Sequence, residues 1–146
     1  MNILIGNDHG AIEIKKRLSE YLKNAGHHVD NLGVDTSESV DYPDIAKSVC
    51  KHFLQGGYDF AILACGTGIG ISIAANKING IRAALLHDSY SAKMAKAHNN
   101  ANVVVFGGRI NYQEDVCKIL KSYMDSDFEG GRHLSRINKI NILENR

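Results

Sequence analysis

The sequence predicts an α/β fold in which helices cover both faces of a parallel sheet. Five short apolar runs indicate strands, and they lie at residues 3–5, 28–32, 60–64, 81–86 and 102–106. The runs are uniformly apolar rather than alternating, as in strands covered on both faces, although the one at 28–32 is weaker. Segments of helical periodicity separate them. With 146 residues, 44% hydrophobic and 23% charged, the chain fits a single globular domain over residues 1–146.

The helices follow the strands in a regular order. Their apolar stripes fall at residues 14–25, 45–54, 90–97, 116–123 and 134–140, and a shorter helix opens at 71–77. Pro43 opens the second helix, because proline suits the first helical turn. This alternation implies a three-layer α/β/α, Rossmann-like fold with a five-stranded parallel sheet and an extra helix at the carboxyl end. Ligands of such folds bind beyond the carboxyl ends of the strands.

Charge and apolar length argue against several classes of partner. Seventeen Lys and Arg residues against sixteen Asp and Glu give a formal net charge of +1, which offers no general attraction to nucleic acid or to an acidic membrane. No apolar stretch is long enough to span a bilayer, and residues 1–6 lack the charged start of a signal peptide. We therefore expect a cytoplasmic protein that binds neither nucleic acid nor membrane.

The cysteine and histidine spacings favour neither a disulfide framework nor a metal site. Cys50, Cys65 and Cys117 are odd in number and far apart, with no Cys-x-x-Cys motif. Four histidines show no helical pairing with Asp or Glu at metal-ligand spacing, namely His27, His28, His52 and His87. We expect reduced thiols, no required metal and no cofactor.

One segment carries the strongest functional signal. Residues 65–72, with the sequence C-G-T-G-I-G-I-S, follow an apolar strand and place a lone cysteine before three alternating glycines. Glycine lets the backbone approach a ligand closely and adopt φ > 0, so that consecutive amides can converge on one oxyanion. A thiol beside such amides combines a nucleophile or base with an anion hole. The glycine pattern alone also occurs in dinucleotide folds and in ordinary turns.

Polar or glycine residues follow the other strands as well. The strand exits are residues 7–10 (N-D-H-G), 65–68 (C-G-T-G), 87–88 (H-D) and 107–109 (G-G-R). Because the carboxyl ends of parallel strands meet at one edge of a sheet, we expect these exits to form one pocket. Loops are polar in general, which by itself accounts for part of the pattern.

Several motifs occur in order along nearly the whole chain. The most specific are C-G-T-G-I-G-I-S-I-A-A-N-K at 65–77 and E-G-G-R-H at 129–133. The others are Asp8-His9-Gly10, Asp41-Tyr42-Pro43, His98-Asn99 and Gly107-Gly108-Arg109. Together they resemble type B ribose-5-phosphate isomerase, a family that also includes galactose-6-phosphate isomerase subunits and allose-6-phosphate isomerases.

The resemblance implies a reversible aldose–ketose isomerisation of ribose 5-phosphate and ribulose 5-phosphate, a step of the pentose phosphate pathway. The reaction would pass through a cis-enediolate without a metal. Cys65 would be the base that exchanges a proton between C2 and C1, Thr67 would relay a proton between O1 and O2, and His98 would open the sugar ring. Some members instead use a glutamate at the position of Ile71. Since isoleucine cannot act as a base, the cysteine variant is the one that this sequence supports.

The resemblance also implies which residues bind the substrate. Asp8 and Tyr42 would line the sugar end, and Asn99 would hold hydroxyls or the enediolate. Amides of residues 66–72 would hold the developing oxyanion, and a histidine with three arginines would clamp the phosphate. The loop residues are Gly66, Gly68, Gly70 and Ser72, and the phosphate residues are His9, Arg109, Arg132 and Arg136. His133 lies in the last motif without an assigned role.

Family members are homodimers, some of which pair into tetramers, with active sites built from both subunits. Carried over to this chain, Cys65 and its loop would face His98, Asn99 and Arg109 of the partner subunit. The phosphorylated sugar and the second subunit are therefore the partners that we expect.

Single residues allow other interpretations. Thr67 also fits a turn hydroxyl that bonds its own backbone, and His98 fits a favourable charge at a helix end. Arg132 and Arg136 also fit a solvated helix face.

Three other functions remain open. The chain could isomerise a six-carbon sugar phosphate, bind sugar phosphates without catalysis, or use Cys65 in thiol redox or acyl-transfer chemistry. The set Cys65, Thr67 and His98 favours a self-sufficient ribose-type enzyme. Redox chemistry is disfavoured because no second cysteine is close in sequence.

Overall fold

The sheet and helices occur in the predicted order in the computed structural model, which describes residues 1–144. The strands are β1 (Asn2–Asn7), β2 (His28–Asn31), β3 (Phe60–Cys65), β4 (Ala83–Leu85) and β5 (Val103–Gly107). The helices are α1 (Ile12–Asn24), α2 (Tyr42–Leu54), α3 (Ile69–Ala75), α4 (Ser89–Ala97), α5 (Val116–Met124) and α6 (Arg132–Leu143), with a short 3₁₀ helix at His9–Ala11. None of these described helices is long and apolar enough to cross a membrane. The predicted α/β fold is confirmed.

All strand pairs of the sheet are parallel, and the order is β2-β1-β3-β5-β4. The register places Asn7 beside Ala64 and Cys65 beside Gly107. The carboxyl ends of β1, β3 and β5 therefore lie next to one another in the middle of the sheet, and the loops that leave them can meet.

The two faces of the sheet are covered by different helices. Ile62 and Phe106 pack with residues of α1, α4 and α5 on one face. Leu63 and Val105 pack with residues of α2 and α3 on the other face. All four side chains are fully buried, and each such burial contributes about 1.5–3 kcal/mol relative to exposure. The alternation along β3 and β5 thus produces the three predicted layers.

Two element boundaries differ from those predicted. β4 is only Ala83–Leu85 rather than 81–86, because the N–H of Ile81 donates to the carbonyl of Ile78 in a turn, at 3.1 Å. α3 begins at Ile69 rather than at 71, directly after Gly68, whose backbone is left-handed with φ +78°. The helix therefore starts closer to Cys65 than the sequence indicated.

Helix α6 is attached to the amino-terminal edge of the sheet. Before its first turn, the N–H of Glu129 donates to the carbonyl of Ala97, at 3.0 Å. At its end, the carboxylate of Glu144 accepts from the N–H of Gly80, at 2.9 Å. Ala97 ends α4 and Gly80 precedes β4, so both attachments lie opposite the loops that follow the strands.

Candidate active site

Cys65 is the last residue of β3 and is 4% exposed. Its Sγ accepts a hydrogen bond of 3.2 Å from the backbone N–H of Gly68. A donor aimed at sulfur stabilises negative charge on it, because hydrogen bonds to ionised acceptors are stronger than those to neutral ones. The glycine loop therefore holds the thiol in an environment that suits a base.

The other two cysteines lie in helices with apolar surroundings, as predicted. Cys50 is fully buried on α2, and burial raises the pKa of its thiol to about 12. Cys117 is half-buried on α5, where burial and then the charge of Asp115 raise the pKa of its thiol. Neither thiol is disposed to ionise at neutral pH, so both have a structural role.

Backbone hydrogen bonds join the loops that leave β1, β3 and β5. The N–H of Gly108 donates to the carbonyl of Cys65 and that of Arg109 to the carbonyl of Gly66, each at 2.8 Å. The N–H of Asp8 donates to the β3 carbonyl just before the cysteine, at 3.1 Å. Three of the four predicted strand exits thus form one site.

The fourth strand exit has a structural explanation. The carboxylate of Asp88 accepts from the N–H of Ser91, at 2.7 Å, and the Ser91 hydroxyl accepts from the N–H of Asp88, at 3.2 Å. This reciprocal arrangement caps the start of α4. This cap explains the presence of Asp88 after β4, so Asp88 does not require a role in the pocket.

Arg109 lies beside the cysteine of its own chain. Its Nη1 atom is placed 3.1 Å from where a Cβ on Gly66 would be. The expectation that Arg109 reaches the site from a partner is wrong in this structure, because its backbone is bonded to the glycine loop of the same chain. The exposed guanidinium supplies a fixed positive charge next to Cys65, which suits phosphate oxygens.

Three amides of the glycine loop are already occupied. Gly68 donates to Cys65, Ile69 donates to the Thr67 hydroxyl at 3.2 Å, and the N–H of Ser72 donates to the carbonyl of Gly68 at 3.1 Å. The prediction that the amides of Gly68 and Ser72 bind an oxyanion is therefore wrong for this arrangement. The hydroxyl oxygen of Thr67 thus accepts a hydrogen bond within its own turn, which is the alternative role given for it above. The hydroxyl proton can still be donated.

Four other amides of the loop can serve an anion. Within residues 1–144, the N–H groups of Gly66, Thr67, Gly70 and Ile71 donate to no other protein group. Gly66 and Thr67 follow Cys65 directly, and the guanidinium of Arg109 lies beside Gly66. We therefore expect these four amides, rather than the whole set from Gly66 to Ser72, to be the ones available to an anion.

The loop after β1 presents two predicted residues at the same edge. Asp8 is 6% exposed, and its carboxylate accepts from the N–H of Gly10 at 2.8 Å. Nδ1 of the half-buried His9 accepts from the N–H of Val40 at 3.2 Å. This bond implies that the proton of neutral His9 is on Nε2, which leaves that nitrogen as a donor.

A buried lysine holds the β2–α2 loop, residues 32–41, in place. Lys15 is 3% exposed, and its ammonium donates to the carbonyl of Val34 at 2.7 Å and pairs with Asp35. The hydrogen bond and the charge of Lys15 lower the pKa of Asp35. The burial of Lys15 was not predictable from the sequence, because a lysine on an amphipathic helix is ordinarily exposed.

The ring of Tyr42 lies against Gly70. A Cβ on Gly70 would be 2.5 Å from Cζ of Tyr42 and 2.9 Å from its hydroxyl oxygen. Only glycine leaves room for the ring at this position. The contact connects the start of α2 to the glycine loop and places the phenol, 39% exposed, at the edge of the site.

Other predicted residues lie at the opposite edge of the sheet. His98 follows the last residue of α4. The guanidinium of Arg82, which precedes β4, donates to the backbone carbonyls of Asn99 at 3.2 Å and Asn100 at 2.9 Å. Since α4 begins beyond the carboxyl end of β4 and runs back, His98 and Asn99 are at the amino-terminal edge. They cannot share a site with Cys65 of the same chain.

The predicted site residues thus form two groups. The carboxyl-edge group comprises Asp8, His9, Tyr42, Cys65, Gly66, Thr67, Gly68, Gly70, Ser72 and Arg109. The amino-edge group comprises His98, Asn99, Arg132 and Arg136. Both arginines are exposed on the first turns of α6, next to the attachment of this helix to α4.

Two further residues join the amino-edge group. The rings of His98 and His133 are stacked, with centroids 4.0 Å apart and planes inclined by 13°. A carboxylate oxygen of Glu129 lies 3.8 Å from Nε2 of His98 and 3.5 Å from Nε2 of His133. The Glu-x-x-x-His spacing of the last motif could have indicated that Glu129 and His133 lie close together. Nothing in the sequence indicated that they lie beside His98.

This trio is the group of described residues whose donor atoms come close enough for a metal, all within 4.8 Å. A metal lies in the plane of each imidazole that binds it, whereas the planes of His98 and His133 are nearly parallel and do not meet near the site. The arrangement therefore does not suit a metal ion bound by both histidines.

Comparisons with known proteins agree with this geometry. The model of the ribose/galactose isomerase family matches residues 3–140. The structure resembles that of ribose-5-phosphate isomerase B from Clostridium thermocellum with a TM-score of 0.95 and 42% identity, over 99% of this chain and 98% of that one.

Two curated relatives differ in their named substrates. Ribose-5-phosphate isomerase B of Escherichia coli is 40% identical over 144 residues, which cover 99% of this chain and 97% of that protein. D-erythrulose-4-phosphate isomerase of Pectobacterium atrosepticum is 40% identical over 147 residues, which cover 100% of this chain and 97% of that protein. Overall similarity therefore does not separate a five-carbon from a four-carbon substrate.

Proposed function

This chain belongs to the ribose/galactose isomerase family and is a sugar phosphate isomerase, and we propose that it interconverts ribose 5-phosphate and ribulose 5-phosphate with Cys65 as the base. One observation carries the proposal: the Sγ of Cys65, bonded by a backbone amide, adjoins free amides and the guanidinium of Arg109. In this proposal the thiolate is the base, the free amides are the oxyanion site and the guanidinium is the charge that binds the phosphate.

The reaction needs one carbon-bound proton to move from C2 to C1 of the open-chain aldose. The thiolate of Cys65 takes the C2 proton, and the electron pair forms the C1–C2 double bond as the O1 carbonyl becomes an oxyanion. Free amides of residues 66–71 stabilise that charge. Thr67 carries the proton from O2 to O1, and the thiol returns its proton to C1. The product is the ketose, and Cys65 is a thiolate again.

The phosphate lies at the end of the substrate away from C1. His9, through Nε2, and Arg109 can hold it from the chain that supplies Cys65, since both follow strands at the carboxyl edge. Arg132 and Arg136 are four residues apart on one face of α6 and can complete the clamp from a second subunit.

A homodimer would bring the two groups together. His98 and Asn99 lie at the edge opposite Cys65, so a site that uses all three requires a second copy of this chain. An apolar groove of about 520 Å³ runs along β4, the outermost strand, and is lined in part by α4 and by Ile140 of α6. Tyr90, at the start of α4, is 73% exposed there. We assign this face to the second subunit.

The test is turnover of ribose 5-phosphate by the purified protein with a chelator present. D-erythrulose 4-phosphate, allose 6-phosphate and galactose 6-phosphate serve as comparison substrates, because one carbon changes substrate preference by only about 1–3 kcal/mol. Cys65→Ala should abolish turnover, whereas Cys117→Ser should retain it. A wild-type protein that binds sugar phosphates but isomerises none of them would refute the roles of Cys65 and Thr67. Preference for another sugar in the panel would change the substrate and leave the mechanism in place.

A further inference from the structure

Glu129 and His133 surround His98 on two sides. His133 covers one face of the imidazole by stacking at 4.0 Å between ring centroids, and its own side chain is only 6% exposed. Glu129 is exposed, and its carboxylate lies 3.8 Å from Nε2 of His98. The trio combines one exposed acid, one half-exposed histidine and one buried histidine.

The trio is attached to the backbone at several points. The N–H of Glu129 donates to the carbonyl of Ala97, and the N–H of His133 donates to the carbonyl of Gly130, each at 3.0 Å. Nε of Arg132 donates to Nε2 of His133 at 3.4 Å. The first of these bonds connects the end of α4, next to His98, to the segment that leads into α6, and the other two lie within the start of α6. The stacking therefore has a rigid framework on both sides.

The environment of His133 disfavours its protonated form. Burial lowers its pKa, and the nearby charges of His98, Arg132 and Arg136 lower it further, while Glu129 opposes them. A neutral ring can stack on His98 without adding a positive charge to it, whether or not His98 is protonated. His133 is thus suited to support the ring rather than to exchange protons with the substrate.

We propose that Glu129 and His133 are positioning residues that hold the imidazole of His98 in the orientation required for ring opening. The inference rests on the proposed function, in which ribose 5-phosphate enters as a cyclic hemiacetal. Ring opening breaks the bond between C1 and the ring oxygen, adds a proton to that oxygen and removes one from the O1 hydroxyl. In this proposal a single imidazole serves both oxygens, so its orientation affects the rate of ring opening.

Two assays separate ring opening from proton transfer at carbon. Conversion of ribose 5-phosphate needs both steps. Ribulose 5-phosphate is acyclic, because its C5 oxygen carries the phosphate, so exchange of its C1 proton with deuterated solvent needs Cys65 but no ring opening. Initial rates of both reactions should be measured with the intact protein for Glu129→Gln, His133→Gln and the surface control Glu20→Gln.

We expect Glu129→Gln and His133→Gln to lower kcat for ribose 5-phosphate about tenfold, with KM and the exchange rate changed less than about twofold. Glu129→Asp should recover part of the lost rate, and His133→Phe, which keeps a flat ring, should lose less than His133→Gln. Glu20→Gln should behave as wild type.

Other outcomes overturn the inference. If both reactions slow equally, the two residues support the fold or the dimer and not ring opening. If neither reaction slows, His98 needs no positioning by them. Retention of exchange in Cys65→Ala would refute the proposed function instead, so the two failures are distinguishable.

Discussion

The backbone N–H of Gly68 donates to the Sγ of Cys65 across 3.2 Å, and this bond depends on a backbone shape that only glycine adopts readily. Gly68 has φ +78°. A Cβ there would lie 2.5 Å from Cδ1 of Leu85 and 3.0 Å from the backbone of Phe106. The conformation that aims the amide at sulfur is thus enforced by β4 and β5 as well as by the loop.

Gly68→Ala should therefore reduce both activity and stability. Strain and overpacking should cost roughly 1–3 kcal/mol of unfolding free energy, and displacement of the amide should lower kcat by at least about tenfold. Thermal unfolding and turnover would be measured beside Gly26→Ala. Gly26 also has positive φ, +85°, but a Cβ there meets nothing within 4 Å. Equal losses in the two variants would mean that backbone strain alone, rather than the contact with sulfur, explains the effect.

The contact between Tyr42 and Gly70 predicts coupling between these residues. Gly70→Ala places a Cβ 2.5 Å from the Tyr42 ring, so the ring must move and turnover should fall about tenfold. In a Tyr42→Ala background the same substitution has no ring to displace and should cost much less. A double-mutant cycle on kcat/KM measures this coupling. Additive effects would show that the ring does not transmit the change.

The fold was predictable because local patterns of apolar residues indicate its strands and helices. Three buried strands, two less buried edge strands and their helices are visible as apolar runs and stripes, and the carboxyl edge follows from the parallel arrangement. Strand order was not predictable, because β4 and β5 present similar apolar runs and nothing in them specifies which pairs with β3. The buried position of Lys15 was not predictable either, since its partners, Val34 and Asp35, lie in a loop that has no periodic pattern.

The Lys15–Asp35 pair predicts a pH-dependent part of the stability. Lys15 lowers the pKa of Asp35 below its ordinary value of 3.8. The pair therefore stabilises the fold fully above that value, and its contribution is lost as the pH falls through the lower pKa of the folded state. Thermal unfolding from about pH 6 down to about pH 2 should show a smaller decline for Asp35→Asn than for wild type. Glu38→Gln, in the same loop, should follow wild type, and identical curves for all three proteins would contradict the assignment.

The three cysteines should differ in reactivity. Burial raises the pKa of Cys50 to about 12 and also raises that of Cys117, so both carry little thiolate at mildly alkaline pH. We expect iodoacetamide to modify Cys65 first, with activity lost in parallel and with inorganic phosphate slowing the reaction. Peptide mass mapping over time measures this order. The Cys117→Ser variant should be inactivated at the wild-type rate, and early modification of Cys117 alone with loss of activity would be the contrary result.

The site was predictable only in part, for a geometric reason. Motifs indicate residue types, and they identified Cys65 and Thr67 in the glycine loop, whereas the resemblance assigned Arg109 to the partner subunit. They do not indicate at which end of a helix a side chain stands relative to the sheet. The direction of α4 places His98 away from Cys65. Its neighbour His133 lies on α6 and Glu129 precedes that helix, so both are distant from His98 in sequence.

Separation of Cys65 from His98 predicts that two inactive variants will complement each other. A Cys65→Ala subunit retains His98, and a His98→Asn subunit retains Cys65. In a mixed dimer with shared sites, one site would combine both intact residues and the other would combine both substitutions. Random mixing makes half of the dimers mixed, so roughly a quarter of all sites should be restored. Each variant alone would be assayed at the same total concentration, after the same unfolding and refolding. If the mixture stays as inactive as its components while sedimentation shows mixed dimers, then His98 does not act across the interface. The ring would then have to be opened by a group at the carboxyl edge, such as the carboxylate of Asp8.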